Sequence, residues 1–214
     1  EECEKTVERL AASGIGAILD YSIEGRSSEQ DFDRTKDEII RTVERAKNDP
    51  RIPFSVFKVT GIAPLGTLER LSGKKKLDAK SQTKCEHLQS RVNEICEFAY
   101  KVGQPIFIDA EETWIQDAID RLATDMMEKY NLEGPIVYTT LQLYRTDRLQ
   151  HLKDARRQAK ADGYVYAVKL VRGAYMEKER ERAENNRRVV HTPLPMHRTC
   201  RCAQRLPRGS VNPR

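Results

Sequence analysis

The chain has 214 residues, 38% of them hydrophobic, with a formal charge of +5; that length holds one domain with a real core. No apolar run approaches the roughly 20 residues that a membrane-spanning helix needs. No secretory signal or transit peptide is evident, so any presequence would lie outside this stretch.

The positive balance belongs to residues 185–214, which hold seven of the 38 basic side chains and no acid, leaving 31 basic against 33 acidic residues before them. Five cysteines without regular spacing argue against a disulfide framework and for a reducing compartment. Cys85, His87 and Cys96 lack a fourth ligand, so no structural zinc is expected there.

The chain opens in an amphipathic segment, Glu1–Ser13. Five segments then read as buried parallel strands: Ile15–Ile23, Phe54–Thr60, Pro105–Glu111, Ile136–Tyr144 and Tyr164–Val171. Helical patterns separate them. Ser28-Glu29-Gln30-Asp31 opens the first, and Asn48-Asp49-Pro50 stops it. A short helix over Gly66–Ser72 and a charged loop from Gly73 precede a helix containing Leu88, Val92, Ile95, Cys96 and Ala99, which ends at Gly103. Trp114, Ile115, Ala118, Ile119 and Leu122 mark the next helix. Another runs from about Thr146 to Asp162 with Gly163 as its C-cap, and Met176–Ala183 starts the last.

Repeated βα units predict a parallel sheet with right-handed crossovers. A complete (β/α)₈ barrel takes about 250 residues, so five units predict an incomplete TIM-type barrel over residues 1–184. Residues 185–214, with four prolines and no periodicity, read as a disordered basic tail.

Each strand carries one polar residue on a shared parity: Asp20, Lys58, Asp109, Gln142 and Lys169. Charges buried beneath a helix layer cost several kcal/mol unless paired. At the C-terminal mouth of a barrel they converge instead on one cavity, where barrel active sites lie. Lys58 and Asp109 fall on neighbouring strands and are placed to pair. Glu111 and Glu112 suit the following helix N-terminus better than Asp109 does. Gln142 and Tyr144 share a face, and an amide there can both donate and accept. Lys169 points inward, and Gly173 permits close backbone approach.

Three functions are compatible with these residues. The positive locus around Lys169, Arg172 and Gly173 fits an anionic group or a reduced cofactor, and Lys58 alone fits a Schiff-base lyase. The Arg-rich tail fits a non-catalytic chain binding nucleic acid or acidic membrane.

Five motifs in order narrow the choice. Leu19-Asp20-Tyr21-Ser22-Ile23-Glu24, Phe57-Lys58-Val59-Thr60, Ile108-Asp109-Ala110-Glu111-Glu112, Gln142-Leu143-Tyr144 and Lys169-Leu170-Val171-Arg172-Gly173-Ala174-Tyr175 closely resemble the proline dehydrogenase (proline oxidase) family, in its eukaryotic mitochondrial branch. The resemblance covers about Glu1 to Ala183. It implies a (β/α)₈ barrel holding FAD, oxidation of L-proline to Δ1-pyrroline-5-carboxylate, and electron transfer to a quinone on the matrix side of the mitochondrial inner membrane. By the same resemblance, Gln142 and Lys169 contact the isoalloxazine, with Lys169 near N5. Val171 and Gly173 are backbone neighbours of the cofactor, while Lys58, Asp109 and Tyr175 line the proline pocket. The family's sixth to eighth strands, with an arginine pair for the substrate carboxylate, have no counterpart here, so a truncated form is expected.

Overall fold

In a computed structural model, residues 2–21, 28–73 and 78–186 are described. The predicted tail from residue 187 onward, the charged loop at 74–77 and the Ser22–Glu24 part of the first motif lie outside them. Helix α1 (Glu2–Ala11) precedes β1 (Ile18–Asp20), α2 (Glu29–Ala46) and β2 (Phe54–Phe57). A 3₁₀ turn (Val59–Gly61), α3 (Leu65–Ser72) and α4 (Ala79–Val102) lead to β3 (Ile106–Ile108). Then follow α5 (Thr113–Tyr130), β4 (Val137–Gln142), α6 (Arg148–Asp162), β5 (Val168–Val171) and α7 (Met176–Asn186).

The strands lie in the order β1-β2-β3-β4-β5, with every neighbouring pair parallel. Sequential winding in one direction is the arc of a (β/α) barrel, whereas doubly wound sheets reverse their strand order. The two edge strands each expose an apolar side chain, Ile18 at 47% and Leu170 at 41%. Those are the positions further barrel strands and helices would cover.

Local signals account for the element ends. The Ser28 hydroxyl accepts from Asp31 N at 3.1 Å and caps α2. Asp78 caps α4 through Ser81 N at 2.8 Å. Gly163 ends α6 in the left-handed conformation, φ 83°, which a side chain would resist. In α5, Ile115, Ala118, Ile119, Leu122, Ala123, Met126 and Met127 are buried at helical spacing. They join Phe57, Ile106, Ile108 and Val137 from the strands in one core between sheet and helices. Each large apolar side chain buried there contributes about 1.5–3 kcal/mol.

The strands are shorter than their apolar runs predict, for reasons visible at their ends. Beyond Lys58 the chain enters the 3₁₀ turn, and Thr60 N donates to the Glu111 carboxylate at 3.0 Å instead of to a neighbouring strand. Beyond Asp109, Glu111 N donates to the Gln116 side chain at 2.8 Å. At the opposite end of the sheet, the fully buried Asn131 makes four bonds at once. Its Oδ1 accepts from Ile136 N (3.0 Å) and Val137 N (2.8 Å). Its Nδ2 donates to the carbonyls of Val137 (2.8 Å) and Val165 (3.0 Å). One amide thus replaces ladder bonds where β4 and β5 begin.

Candidate active site

Strand register sets the site in layers. Phe54 pairs with Ile18, Val56 with Phe107, and Phe107 with Tyr138. On the face away from the helices, Phe54 and Phe107 stack at 4.4 Å, with Tyr138 edge-on to each at 5.5 and 5.4 Å. This aromatic layer forms a floor. Toward the C-terminal ends the same parity continues with Lys58, with Asp109, with Thr140 and Gln142, and with Lys169 and Val171, since Thr140 pairs with Lys169 and Gln142 with Val171.

Asp109 and Lys169 form an ion pair across the intervening β4, and the Thr140 hydroxyl donates to the same Asp109 oxygen at 3.4 Å. The Lys169 ammonium also lies 5.0 Å above the Phe107 ring. Lys58 pairs with Asp20 at 3.4 Å. The expected Lys58–Asp109 pair is therefore replaced: each charge has found a partner on a different strand.

Glu111 lies between these groups and α5. It is almost fully buried and accepts from both the backbone N–H and the hydroxyl of Thr60. Burial pushes its carboxyl above the ordinary range, opposed by the Thr60 bonds. The helix-terminal role expected for Glu111 is not the one it has. Glu112 stands at the N-cap of α5 without a side-chain cap bond and pairs with Lys178 at 3.3 Å.

The backbone carbonyl of Glu111 accepts from Gln142 Nε2 at 2.7 Å. That bond fixes the amide's orientation, because turning it would set two acceptors against each other. The other end, Gln142 Oε1, is buried without a hydrogen-bond partner. An orphaned buried acceptor is costly to a folded protein and marks a place where a donor fits.

Gly173 has φ 111°, and a Cβ there would come within 2.0 Å of the Tyr144 ring. Tyr144 Oη donates to Glu179 on α7 at 2.5 Å. Burial, with the nearby Glu179 carboxylate, pushes the Tyr144 phenol far up. Tyr175, half-buried just before α7, has the Lys178 ammonium 5.4 Å over its ring. The structure thus brings Lys58, Asp109, Gln142 and Lys169 to one end of one face, with Val171 beside Gln142. Gly173 and Tyr175 sit in the adjoining turn.

Sequence reasoning missed Glu111, although its parity matches that of Asp109. It also missed Thr140, short and uncharged, and Glu179, which is hidden in a uniformly charged helix. Cys85 and Cys96 are buried on α4, and burial pushes both thiols up. Among the described residues no His/Cys/Asp/Glu cluster could hold a metal, and no helix is long and apolar enough to cross a membrane.

The architecture matches known structures. Proline utilization A (PutA) from Bdellovibrio bacteriovorus superposes with a TM-score of 0.76 over 95% of this chain and 22% of that one, at 16% sequence identity. The carbapenem antibiotics biosynthesis protein CarD of Pectobacterium carotovorum is 34% identical over 84% of this chain and 48% of its own length. Human mitochondrial proline dehydrogenase 1 is 32% identical over 83% of this chain and 26% of its own. The chain thus spans about half or less of the length of the curated relatives it matches. The family model described as proline dehydrogenase matches residues 3–197, nearly the whole chain. With five strands wound as in PutA and their polar ends gathered on one face, the chain belongs to the proline dehydrogenase family.

Proposed function

We propose that these residues form part of an FAD-dependent proline dehydrogenase, which oxidises L-proline to Δ1-pyrroline-5-carboxylate in proline catabolism. The observation that carries this reading is the meeting of Lys58, Asp109, Gln142 and Lys169 at the C-terminal strand ends. FAD fits the residues present. The orphaned Gln142 Oε1 offers an acceptor to a ring N–H, above an aromatic floor. The Lys169 ammonium supplies positive charge where negative charge would develop on reduction. Val171 and Gly173 would present backbone to the group. When bound, flavin supplies the acceptor for the hydride leaving the proline carbon next to nitrogen.

The protein's own groups do the positioning. Proline binds as a zwitterion: Lys58 attracts its carboxylate and Asp109 its ammonium, whose proton is lost to solvent so that the nitrogen lone pair can assist the departing hydride, while Tyr175 closes the side of the pocket. Asp20 and Lys169 serve as the resting partners that these charges exchange for substrate. Relatives named as mitochondrial support a mitochondrial setting. A quinone on the matrix side of the inner membrane completes the reading as electron acceptor.

Incubating the FAD-supplemented chain with L-proline and trapping the cyclic imine with o-aminobenzaldehyde tests the reading. A coloured adduct is expected. Bound FAD without any adduct would refute proline oxidation by these residues.

A further inference from the structure

Helix α7 is charged along most of its length (Met176-Glu177-Lys178-Glu179-Arg180-Glu181), yet Glu179 alone of its glutamates is buried, at 6% exposure. A carboxylate is buried only where it is satisfied. Here it accepts from Tyr144 Oη at 2.5 Å and from Thr113 N, at the start of α5, at 3.3 Å. Tyr144 follows Gln142 by two residues, and its ring occupies the space left by the missing side chain of Gly173. Glu179 N in turn donates to the Tyr175 carbonyl at 3.0 Å, closing the first turn of α7.

One carboxylate thereby links the end of β4, the β5–α7 turn and the N-terminus of α5. We propose that Glu179 is a positioning residue: its latch to Tyr144 holds the first turn of α7, and with it Tyr175, over the strand ends. The inference rests on the proline-pocket reading of Tyr175 given above. It adds a residue that touches neither substrate nor cofactor and acts through Tyr175. Other ties of α7 are Lys178 to Glu112 and Arg182 to Glu69 and the Trp114 ring; Lys178 and Arg182 have exposed side chains, and their ion pairs hold much less, as surface pairs do.

The test uses the full chain with Glu179→Gln, Tyr144→Phe, their combination and Lys178→Met. Tyr144→Phe keeps the ring beside Gly173, so folding is preserved. Hydrogen exchange across residues 176–186, measured without cofactor, is expected to quicken about tenfold or more in both single variants. The double variant should exchange no faster than either, because all three lack the same bond. Lys178→Met should change exchange less than twofold. Equal opening by Lys178→Met, or unchanged exchange in Glu179→Gln and Tyr144→Phe, would overturn the latch. With FAD and L-proline, the latch variants should show KM raised about fivefold or more with kcat within about twofold. A fall in kcat at unchanged KM would overturn the link to Tyr175. If the unaltered chain produces no imine, the proline reading fails and with it the role of Tyr175, whereas exchange still decides the latch.

Discussion

Lys169 on β5 reaches Asp109, just past the end of β3, over the intervening Thr140, whose short side chain leaves the ammonium room to cross and whose hydroxyl shares the same carboxylate oxygen. Three strand ends are thereby tied across the site by one charge pair. The side chains are only 25% and 20% exposed, so each charge depends on the other more than a surface pair would.

Removing one partner should therefore leave the other as an unpaired, partly buried charge. Lys169→Met or Asp109→Asn is expected to destabilise the chain by about 1–3 kcal/mol, and the double substitution by less than the sum. Urea unfolding of the three variants measures this. Strict additivity would show that the pair contributes nothing.

Glu111 gives a pH signature. Its folded pKa is raised, chiefly by burial, so the native state holds a proton that the unfolded chain has released. Stability should be fully present below the ordinary carboxylate pKa and fall as pH rises through the raised value. Glu111→Gln keeps an acceptor for Thr60 N and should flatten that part of the curve. Glu111→Ala should cost about 1–3 kcal/mol, because Thr60 N is left unpaired. Unfolding midpoints from pH 4 to 8 (about the range over which such a group titrates) decide the matter, and an unchanged slope in Glu111→Gln would count against it.

Most of the fold was legible in the chain because period-2 runs and helical faces alternate five times. The shared parity of Asp20, Lys58, Asp109, Gln142 and Lys169 predicts one face, and the strand registers place them there. Pairing was less legible. Lys58 and Asp109 are neighbours by strand order, but a long lysine on β5 competes for Asp109, and only three-dimensional reach decides between them. Strand ends were overestimated because side chains, Glu111 toward Thr60 N and Gln116 toward Glu111 N, take over backbone groups that an apolar run assigns to the ladder.

Asn131 tests that same principle at the other end of the sheet. Asn131→Asp would turn an acceptor toward the carbonyls of Val137 and Val165, which now receive Nδ2. A loss of about 3 kcal/mol or more is expected, larger than for a surface Asn→Asp change. Thermal or urea unfolding reads it, and a loss below about 1 kcal/mol would mean water satisfies these groups.

Gly173→Ala combines a positive φ with a Cβ placed 2.0 Å from the edge of the Tyr144 ring. It should destabilise the chain by about 2 kcal/mol or more. Adding Tyr144→Ala should recover only the steric part, because the backbone strain stays. Full recovery in the double variant would show that the glycine is required for space alone.

Lys58, Asp109, Gln142 and Lys169 meet at separate strand ends on one face, and the proposal above is that they hold FAD. Equilibrium dialysis of FAD against the full chain, beside Lys169→Met and Gln142→Leu, tests it. Stoichiometric uptake by the unaltered chain, weakened about tenfold or more in each variant, is the predicted result. A chain that retains no FAD, or variants that bind it as tightly as the unaltered chain, would contradict it.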